Sequence, residues 1–364
     1  MTEKIHEKSY IAGERGWYQR ALQRLVSGER FTKEEFAALL RAYSAETSAY
    51  AAGLASEIRD RIYGKRVFVR GLIEFTNYCR NDCYYCGIRR SNAAACRYRL
   101  TEDEILGCCR EGWKIGFRTF VLQGGEDMYW TDERLCALVR AIKALHPDCA
   151  VTLSVGERSR ESYARLREAG ADRYLLRHET ANEAHYRKLH PPELSLEHRK
   201  NCLRELKELG FQTGAGMMIG SPGQNIETLA EDLLFLQELQ PEMVGIGPFI
   251  PHHDTPFRAE PAGSAELTLY LLSLVRLMLP EVLLPATTAL GTVAQNGRTT
   301  GVLAGANVVM PNLSPQTVRS KYLLYDNKAC MGLEAAEHLQ QLREEMAAIG
   351  YAVVTDRGDH VSRR

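Results

Sequence analysis

The chain has 364 residues, of which 45% are apolar, so it is long enough to bury a large core. Lys and Arg number 46 and Asp and Glu also number 46, and this balance gives no indication of a nucleic acid or a membrane as a partner. The first residues lack the apolar core of a signal peptide, and ten cysteines without one are typical of a reducing compartment. We therefore predict a cytoplasmic protein that acts on a small molecule.

The hydrophobic pattern predicts helix over residues 30–62, where Thr32 is a suitable N-cap with Glu35 three residues later. After this segment, β-like runs alternate with helical runs. The strands are predicted at 67–74, 118–123, 149–155, 173–178, 212–218, 242–248, 282–287 and 305–310. The helices between them are predicted at 102–115, 131–145, 159–169, 196–209, 226–238 and 265–279.

Eight β segments with helical crossovers favour an α/β protein with a single (βα)8 barrel of the TIM type. We expect residues 1–62 to form an N-terminal helical extension and residues 63–330 to form the barrel. Residues 331–364 are expected to form a C-terminal helix and tail that pack on the barrel. In such barrels the chemistry lies at the carboxyl ends of the strands.

Three cysteines follow the first strand: Cys79, Cys83 and Cys86. Thiolates are the soft ligands that iron–sulfur clusters require, and three of them would leave the fourth iron of a four-iron cluster open. A zinc site with Cys96 as the fourth ligand is an alternative, although structural zinc sites usually pair two short cysteine motifs. A disulfide is less consistent with a reducing compartment and would leave the third thiol over.

The pattern Cys-x3-Cys-x2-Cys, with the aromatic Tyr85 before the third cysteine, resembles the signature of radical S-adenosylmethionine (SAM) enzymes. The resemblance implies a [4Fe–4S] cluster whose open iron chelates the amino and carboxylate groups of SAM. In that family the reduced cluster splits SAM to give a 5′-deoxyadenosyl radical, and the protein supplies orientation and shielding.

The second strand ends in Gln123-Gly124-Gly125-Glu126. Two glycines allow the backbone to approach a ligand, and the carboxylate can accept hydrogen bonds from an ammonium group. This run is similar to the glycine–glycine–glutamate element that holds the amino group of SAM in the same family, although an ordinary turn would also have this sequence. Ser154, at the end of the third strand, is also predicted to contact the cofactor.

Arg177, His178 and Glu179 follow the fourth strand, and Arg199 lies on the next helix. Strand alternation places Arg177 and Glu179 on one side and His178 on the other. We predict that Arg177, Glu179 and Arg199 contact ligand, although Glu179 and Arg199 could form a structural ion pair. Met218, in the glycine-rich end of the fifth strand, is predicted to lie against the adenosyl group or to fill the core.

Over residues 65–330 the chain resembles the HydE family of [FeFe]-hydrogenase maturases, in the group that includes biotin synthase and methylornithine synthase. The resemblance is carried by the runs 174–182, 243–252, 285–288 and 305–312. It implies a role in assembling the dithiomethylamine-bridged diiron site of the hydrogenase. The implied substrate is a cysteine-bound iron carbonyl–cyanide complex made by a partner maturase, and the implied reductant is a flavodoxin or ferredoxin.

The same resemblance predicts the residues that hold the substrate. Arg177, Thr287 and Thr288 would present donors to its anionic groups, and Tyr322 and Tyr325 match aromatic residues that line the cavity of this family. The alternative for both threonines is simple packing in the seventh strand.

Some members of this family carry a second iron–sulfur cluster on C-terminal cysteines, whereas here Cys330 is the only cysteine after Cys202. We therefore predict no functional second cluster. Two other functions stay open: a radical SAM mutase or synthase that acts on an amino-acid-like substrate, and a non-enzymatic iron–sulfur carrier.

Overall fold

The computed structural model describes residues 16–328 and 338–363. Nine strands are found in these residues. They are β1 (Arg66–Val69), β2 (Gly71–Thr76), β3 (Thr119–Gly124), β4 (Ala150–Ser154), β5 (Arg173–Leu175), β6 (Gln212–Ile219), β7 (Met243–Pro248), β8 (Val308–Val309) and β9 (Ala352–Val354).

Helices precede the strands, connect them and follow them. Those before β4 are α1 (Trp17–Val26), α2 (Lys33–Arg41), α3 (Ala45–Tyr63), α4 (Glu102–Lys114) and α5 (Asp132–Leu145). Those from β4 to β7 are α6 (Arg160–Glu168), α7 (Glu183–Leu189), α8 (Leu196–Glu208) and α9 (Ile226–Leu239). Those after β7 are α10 (Ala265–Met278), α11 (Thr288–Val293), α12 (Gly297–Leu303), α13 (Gln316–Arg319) and α14 (Leu339–Ala348). No helix in the described residues has both the length and the apolar character needed to cross a membrane.

The central sheet consists of parallel strands and forms the wall of an α/β barrel. Strands β2 to β7 pair in chain order, each parallel to the next. Isolated parallel bridges continue the pairing from Met243 to Leu283, from Pro285 to Val308, and from Asn312 back to Leu72. The predicted (βα)8 architecture is therefore confirmed, with a regular ladder over six strands and single bridges over the rest.

Two predicted strands differ from the observed ones. The segment 67–74 is interrupted at Arg70, because β1 pairs with β8 and β9 in a three-stranded sheet whereas β2 pairs with β3 in the six-stranded sheet. The segment 282–287 has only single bridges, at Leu283 and Pro285, since proline has no N–H to donate to a ladder. The other strand predictions overlap observed strands.

The prediction of one helix over 30–62 is wrong. Thr32 does cap α2, and its hydroxyl accepts the N–H of Glu35 at 3.3 Å. However, Ser44 caps a second helix, α3, by accepting the N–H of Thr47 at 3.1 Å. A serine that hydrogen-bonds its own backbone competes with a continuous helix, so the chain turns here. Helix α2 then packs on α9, and α3 packs on α10.

The tail after β9 covers the end of the barrel at which the strands begin, opposite their carboxyl ends. Arg173 of β5 is fully buried there, and its guanidinium donates to the carboxylate of Asp359 at 2.6 Å and to the carbonyl oxygen of Arg357 at 2.8 Å. Burial disfavours the charged form of Asp359, but Arg173 and hydrogen bonds from Gln212 and Arg357 outweigh it and lower the pKa of this carboxyl to about 2. The tail therefore supplies the charge that Arg173 requires.

We expect Asp359→Asn to lower the free energy of unfolding by about 2 kcal/mol at neutral pH, because a charged hydrogen bond to a buried guanidinium is lost. The contribution depends on a depressed pKa, so in the wild type it is present above the unfolded pKa of about 4 and is lost as the pH falls toward about 2. Urea denaturation measured as a function of pH tests both statements.

The matched control is Glu133→Gln, because Glu133 contacts Arg165 at 2.7 Å on the exposed surface. This variant should have nearly wild-type stability. Equal stability of the Asp359→Asn variant and the wild type would show that the tail does not compensate Arg173.

Candidate functional site

The loop that carries Cys79, Cys83 and Cys86 begins at the carboxyl end of β2, where barrel enzymes place their chemistry. The loop is held by backbone contacts to neighbouring segments. The N–H of Tyr84 donates to the carbonyl of Leu189 at 2.9 Å, and the N–H of Gly87 donates to the carbonyl of Leu324 at 2.9 Å. The loop is thus fixed to the segments after α7 and α13.

Arg97 fixes the loop from the other side. Its guanidinium donates to the carbonyl oxygens of Asn77 at 2.5 Å, Ile88 at 2.8 Å and Arg89 at 2.6 Å. Carbonyl oxygens that face inward in a loop need donors, and the fork of one arginine supplies them. The sequence analysis did not single out Arg97, because a backbone contact of this kind has no sequence pattern.

The three cysteines fit an iron–sulfur cluster better than a zinc ion. All three are half-buried, and within the described residues their sulfur atoms do not all lie within 4.8 Å of one another. Four ligands around one zinc ion lie closer than this, because each Zn–S bond is about 2.3 Å long. Burial raises the pKa of the thiols, that of Cys86 to about 12, so a metal centre rather than solvent would stabilise their thiolate forms.

The loop after β3 lies directly against the first cysteine. A Cβ atom on Gly125 would lie 2.7 Å from the Cβ of Cys79 and 2.3 Å from the carbonyl oxygen of Tyr78, so only glycine fits. The N–H of Glu126 donates to the sulfur of Cys79 at 3.4 Å. The two motifs found in the sequence, the cysteine loop and the Gly-Gly-Glu run, are therefore brought together.

Glu126 itself is buried and already has partners. Its carboxylate accepts from Arg80 Nε at 2.8 Å and from the N–H of Glu157 at 2.8 Å. Gly124 ends β3, and Ser154 ends β4 opposite Gln123 in the register. The predicted contact of Glu126 with an ammonium group stays a prediction, and any such ligand would share the carboxylate with these two donors.

The charged residues after β5 pair differently from the alternative considered above. Arg199 binds the carboxylate of Glu157 and donates to the carbonyl oxygen of Arg177 at 2.7 Å. Glu179 instead lies 3.0 Å from Arg177. The structural ion pair of Arg199 is thus made with Glu157, which strand alternation alone could not indicate.

Glu179 has an unusual backbone. Its φ is +64°, a left-handed conformation that is uncommon for residues other than glycine and is often found at functional sites. Its Oε2 atom forms an ion pair with Nη2 of Arg177 at 3.0 Å, whereas Nε of Arg177 is buried without a hydrogen-bond partner among the described residues. Buried charged atoms without partners are costly unless a ligand engages them.

An apolar wall lies beside the third cysteine of the loop. Tyr85 packs with Met218, Leu189 and Phe249, and its hydroxyl lies 3.3 Å from Nε2 of His190. This places Tyr85 of the cysteine motif on one surface with Met218, which is predicted to lie against the adenosyl group or to fill the core. Met218 is buried, so it also contributes to the core.

A cavity of about 140 Å³ lies inside the barrel. Five of the predicted site residues line it: Gln123, Arg177, Thr287, Thr288 and Tyr325. Tyr322 is buried beside it, with the ammonium group of Lys328 4.7 Å from its ring centre. The fold therefore collects predicted site residues from four separate segments around one space.

Thr287 is not a free hydroxyl donor on a strand. It caps α11, because its Oγ1 accepts the N–H of Leu290 at 3.4 Å and donates to the carbonyl of Ile246 at 3.3 Å. Its hydroxyl proton is therefore engaged, and the expectation that both threonines donate to substrate is weakened for Thr287. Thr288 lines the cavity, and its contact with substrate stays a prediction.

The cavity also contains charged and polar residues that the sequence analysis did not single out. Arg70 is buried at its base, and Nε and Nη2 of this side chain have no partner among the described residues. Oγ1 of Thr152 is similarly buried without a partner. Glu74 is fully buried and pairs with Lys328 and with Asn312 at 2.9 Å. An arginine or glutamate within an apolar run is the signal that could have identified Arg70 and Glu74.

Cys330 lies outside the described residues.

Comparison with known proteins gives consistent results. A sequence profile of the Radical SAM superfamily matches residues 73–236. The chain is 51% identical over 278 residues to the [FeFe] hydrogenase maturase subunit HydE of Thermotoga maritima, covering 76% of this chain and 79% of that protein. It is 30% identical to 3-methylornithine synthase of Methanosarcina barkeri, covering 83% of this chain and 85% of that protein.

The crystal structure of a methylornithine synthase has a TM-score of 0.78 at 27% identity, covering 92% of this chain and 97% of that chain. The resemblances predicted from the cysteine spacing and the longer runs are confirmed. The chain therefore belongs to the HydE family of [FeFe]-hydrogenase maturases within the radical SAM superfamily, and is an enzyme that uses a [4Fe–4S] cluster and SAM.

Proposed function

We propose that the chain cleaves SAM reductively and uses the resulting 5′-deoxyadenosyl radical to assemble the dithiomethylamine-bridged diiron subsite of the [FeFe]-hydrogenase H-cluster. Its proposed substrate is a cysteine-bound iron carbonyl–cyanide complex supplied by another maturase. One observation supports this proposal most strongly: the cysteine loop lies at the mouth of a barrel whose interior cavity contains two arginines with buried N–H groups that have no hydrogen-bond partner among the described residues. In vitro hydrogenase maturation with and without this protein tests the proposal.

Cys79, Cys83 and Cys86 would hold three irons of the cluster. Gly125 allows the loop after β3 to lie against Cys79, and the N–H of Glu126 would stabilise the negative charge on the sulfur. The chain supplies a fixed loop, one hydrogen bond to a ligand sulfur and a partly dry environment.

The residues around the loop would hold SAM by its two ends. Glu126, Ser154, Glu179 and Arg199 offer polar groups for its amino and carboxylate groups, and Arg199 is already oriented by the carboxylate of Glu157. Tyr85 and Met218 offer an apolar surface for the adenosyl group. The left-handed backbone of Glu179 places its carboxylate beside Arg177, and this uncommon conformation supports a role in ligand binding.

The cavity would hold an anionic complex. Arg177 presents Nε near its mouth, and Arg70 presents Nε and Nη2 near its base. Carbonyl and cyanide ligands are acceptors, and a carboxylate needs a cation, so these donors match the proposed substrate. Burial excludes water, which strengthens these contacts and protects a reactive radical.

A second candidate function is a rearrangement of an amino-acid-like substrate. The similarity to methylornithine synthase in sequence and fold favours it, because charged cavity groups also suit an amino acid. Incubation of the reduced holoenzyme with the candidate substrates separates the two, since only one should change the products derived from SAM. A non-enzymatic carrier would cleave no SAM at all.

We predict that Cys83→Ala abolishes reductive SAM cleavage, because two remaining thiolates cannot fix the cluster. The matched control is Cys136→Ala, since Cys136 is buried in the core on α5 and outside the loop. The measurement is 5′-deoxyadenosine formed under reducing conditions. Full activity of the Cys83→Ala variant would refute the assignment of this ligand.

Gly125→Ala is expected to lower the iron content well below the roughly four irons per chain of a single cluster. The added methyl group would lie 2.3 Å from the carbonyl oxygen of Tyr78, so the loop would have to move away from Cys79. The control is Gly107→Ala on α4, where the nearest atom is 3.9 Å away and alanine favours the helix. Normal iron loading of the Gly125→Ala variant would contradict the proposed contact.

Arg70→Met should lower hydrogenase maturation about tenfold or more, because one charged contact with substrate is worth roughly a decade. SAM cleavage without substrate should stay unchanged. If Arg70 had only a structural role, replacing a buried charge without a full set of partners by methionine would leave maturation intact. Measuring both activities in one preparation distinguishes the two cases.

A further inference from the structure

Three exposed apolar side chains lie together beside the cysteine loop. The exposed fractions are 36% for Tyr78, 68% for Met128 and 46% for Tyr129. We call these three residues the aromatic patch. Single exposed apolar residues are normal on protein surfaces, but a group of them next to a functional loop indicates a contact surface. Neither the proposed SAM contacts nor the cavity uses this patch.

Arginines bind the patch together. The guanidinium of Arg99 lies 3.7 Å from the ring centre of Tyr78 and 5.0 Å from that of Tyr129. Arg134 lies 3.8 Å from the ring centre of Tyr129 and donates to its carbonyl oxygen at 2.9 Å. Arg134 is in the first turn of α5, where the helix dipole disfavours a positive charge, so helix stability does not explain it.

Two acidic groups next to the patch lie beneath basic ones, and the exposed carboxylate of Glu133 pairs with Arg165. Asp127 is 6% exposed, and Arg99 covers its carboxylate through two hydrogen bonds of 2.6 and 2.9 Å. Glu126 is 8% exposed beneath Arg80, whose side chain is 49% exposed. The outer surface therefore presents aromatic, thioether and guanidinium groups, which are enriched in protein interfaces and suit an acidic partner.

The patch is connected to the cluster site by a short stretch of chain. Tyr78 immediately precedes Cys79, and Met128 lies two residues after Glu126, whose N–H donates to the sulfur of Cys79. A protein docked on the patch would therefore lie beside the first cysteine ligand. An electron carrier must approach the cluster ligands, and this surface allows it to do so.

We propose that the aromatic patch, with Arg99 and Arg134, is the docking surface for a small acidic electron-carrier protein of the flavodoxin or ferredoxin type. The proposal rests on the proposed function, because reductive SAM cleavage requires one electron. The reduced carrier is oxidised by one electron and the cluster is reduced by one electron, and no covalent bond changes in this step.

The first test measures the binding of oxidised flavodoxin to the reconstituted holoenzyme. Arg134→Glu and Tyr129→Ser should each weaken the affinity about tenfold, because one reverses a charge of the surface and the other removes an aromatic contact. The matched controls are Arg140→Glu, on the same helix, and Ile115→Ser, an exposed apolar residue after the end of α4 and outside the patch. Both controls should bind as the wild type does.

The second test compares two reductants. With dithionite, Arg134→Glu should cleave SAM as fast as the wild type, whereas cleavage driven by flavodoxin, its reductase and NADPH should fall about tenfold. Absence of cleavage by the wild type with dithionite would refute the proposed function itself. The docking surface would be overturned if both patch variants bound flavodoxin, and cleaved SAM with it, as well as the wild type does. It would also be overturned if the variants lost binding to a partner maturase but kept binding to flavodoxin.

Discussion

The charged groups inside the barrel are the constraint on which the rest of this structure depends. Parallel barrels normally fill their interior with layers of branched aliphatic side chains. Here Arg70, Glu74, Arg177 and Lys328 line the central cavity instead. Buried charges are tolerated only when they are paired or bound to ligand. Glu74 and Lys328 pair with each other, whereas Nε and Nη2 of Arg70 and Nε of Arg177 have no hydrogen-bond partner among the described residues.

This arrangement divides the barrel into two ends with different tasks. At the end where the strands begin, Arg173 is neutralised by Asp359 from the C-terminal tail, so the tail completes the core. At the carboxyl ends of the strands, the charged residues form ion pairs with one another: Arg199 with Glu157, and Arg177 with Glu179. The charges where the strands begin stabilise the fold, and those at the carboxyl ends are oriented toward the space where ligands would bind.

The cysteine loop depends on its neighbours rather than on its own sequence. Three thiolates can hold a cluster only if the loop has one conformation, and Arg97, Gly87 and Gly125 provide it through carbonyl contacts and close approach. The loop after β3, which carries Gly125, extends from its contact with the sulfur of Cys79 to the exposed Tyr129. One short segment therefore connects the cluster site with the protein surface.

The sequence by itself determined the chemistry and the order of the elements. The spacing of Cys79, Cys83 and Cys86 indicates the cluster, and the alternation of strands and helices indicates the barrel, because ligand spacing and hydrophobic period are local properties. Only the tertiary structure decided which charges meet. Arg199 pairs with Glu157 and not with Glu179, and Arg70 and Thr152 face one cavity, because strand register and barrel closure join residues far apart in the chain.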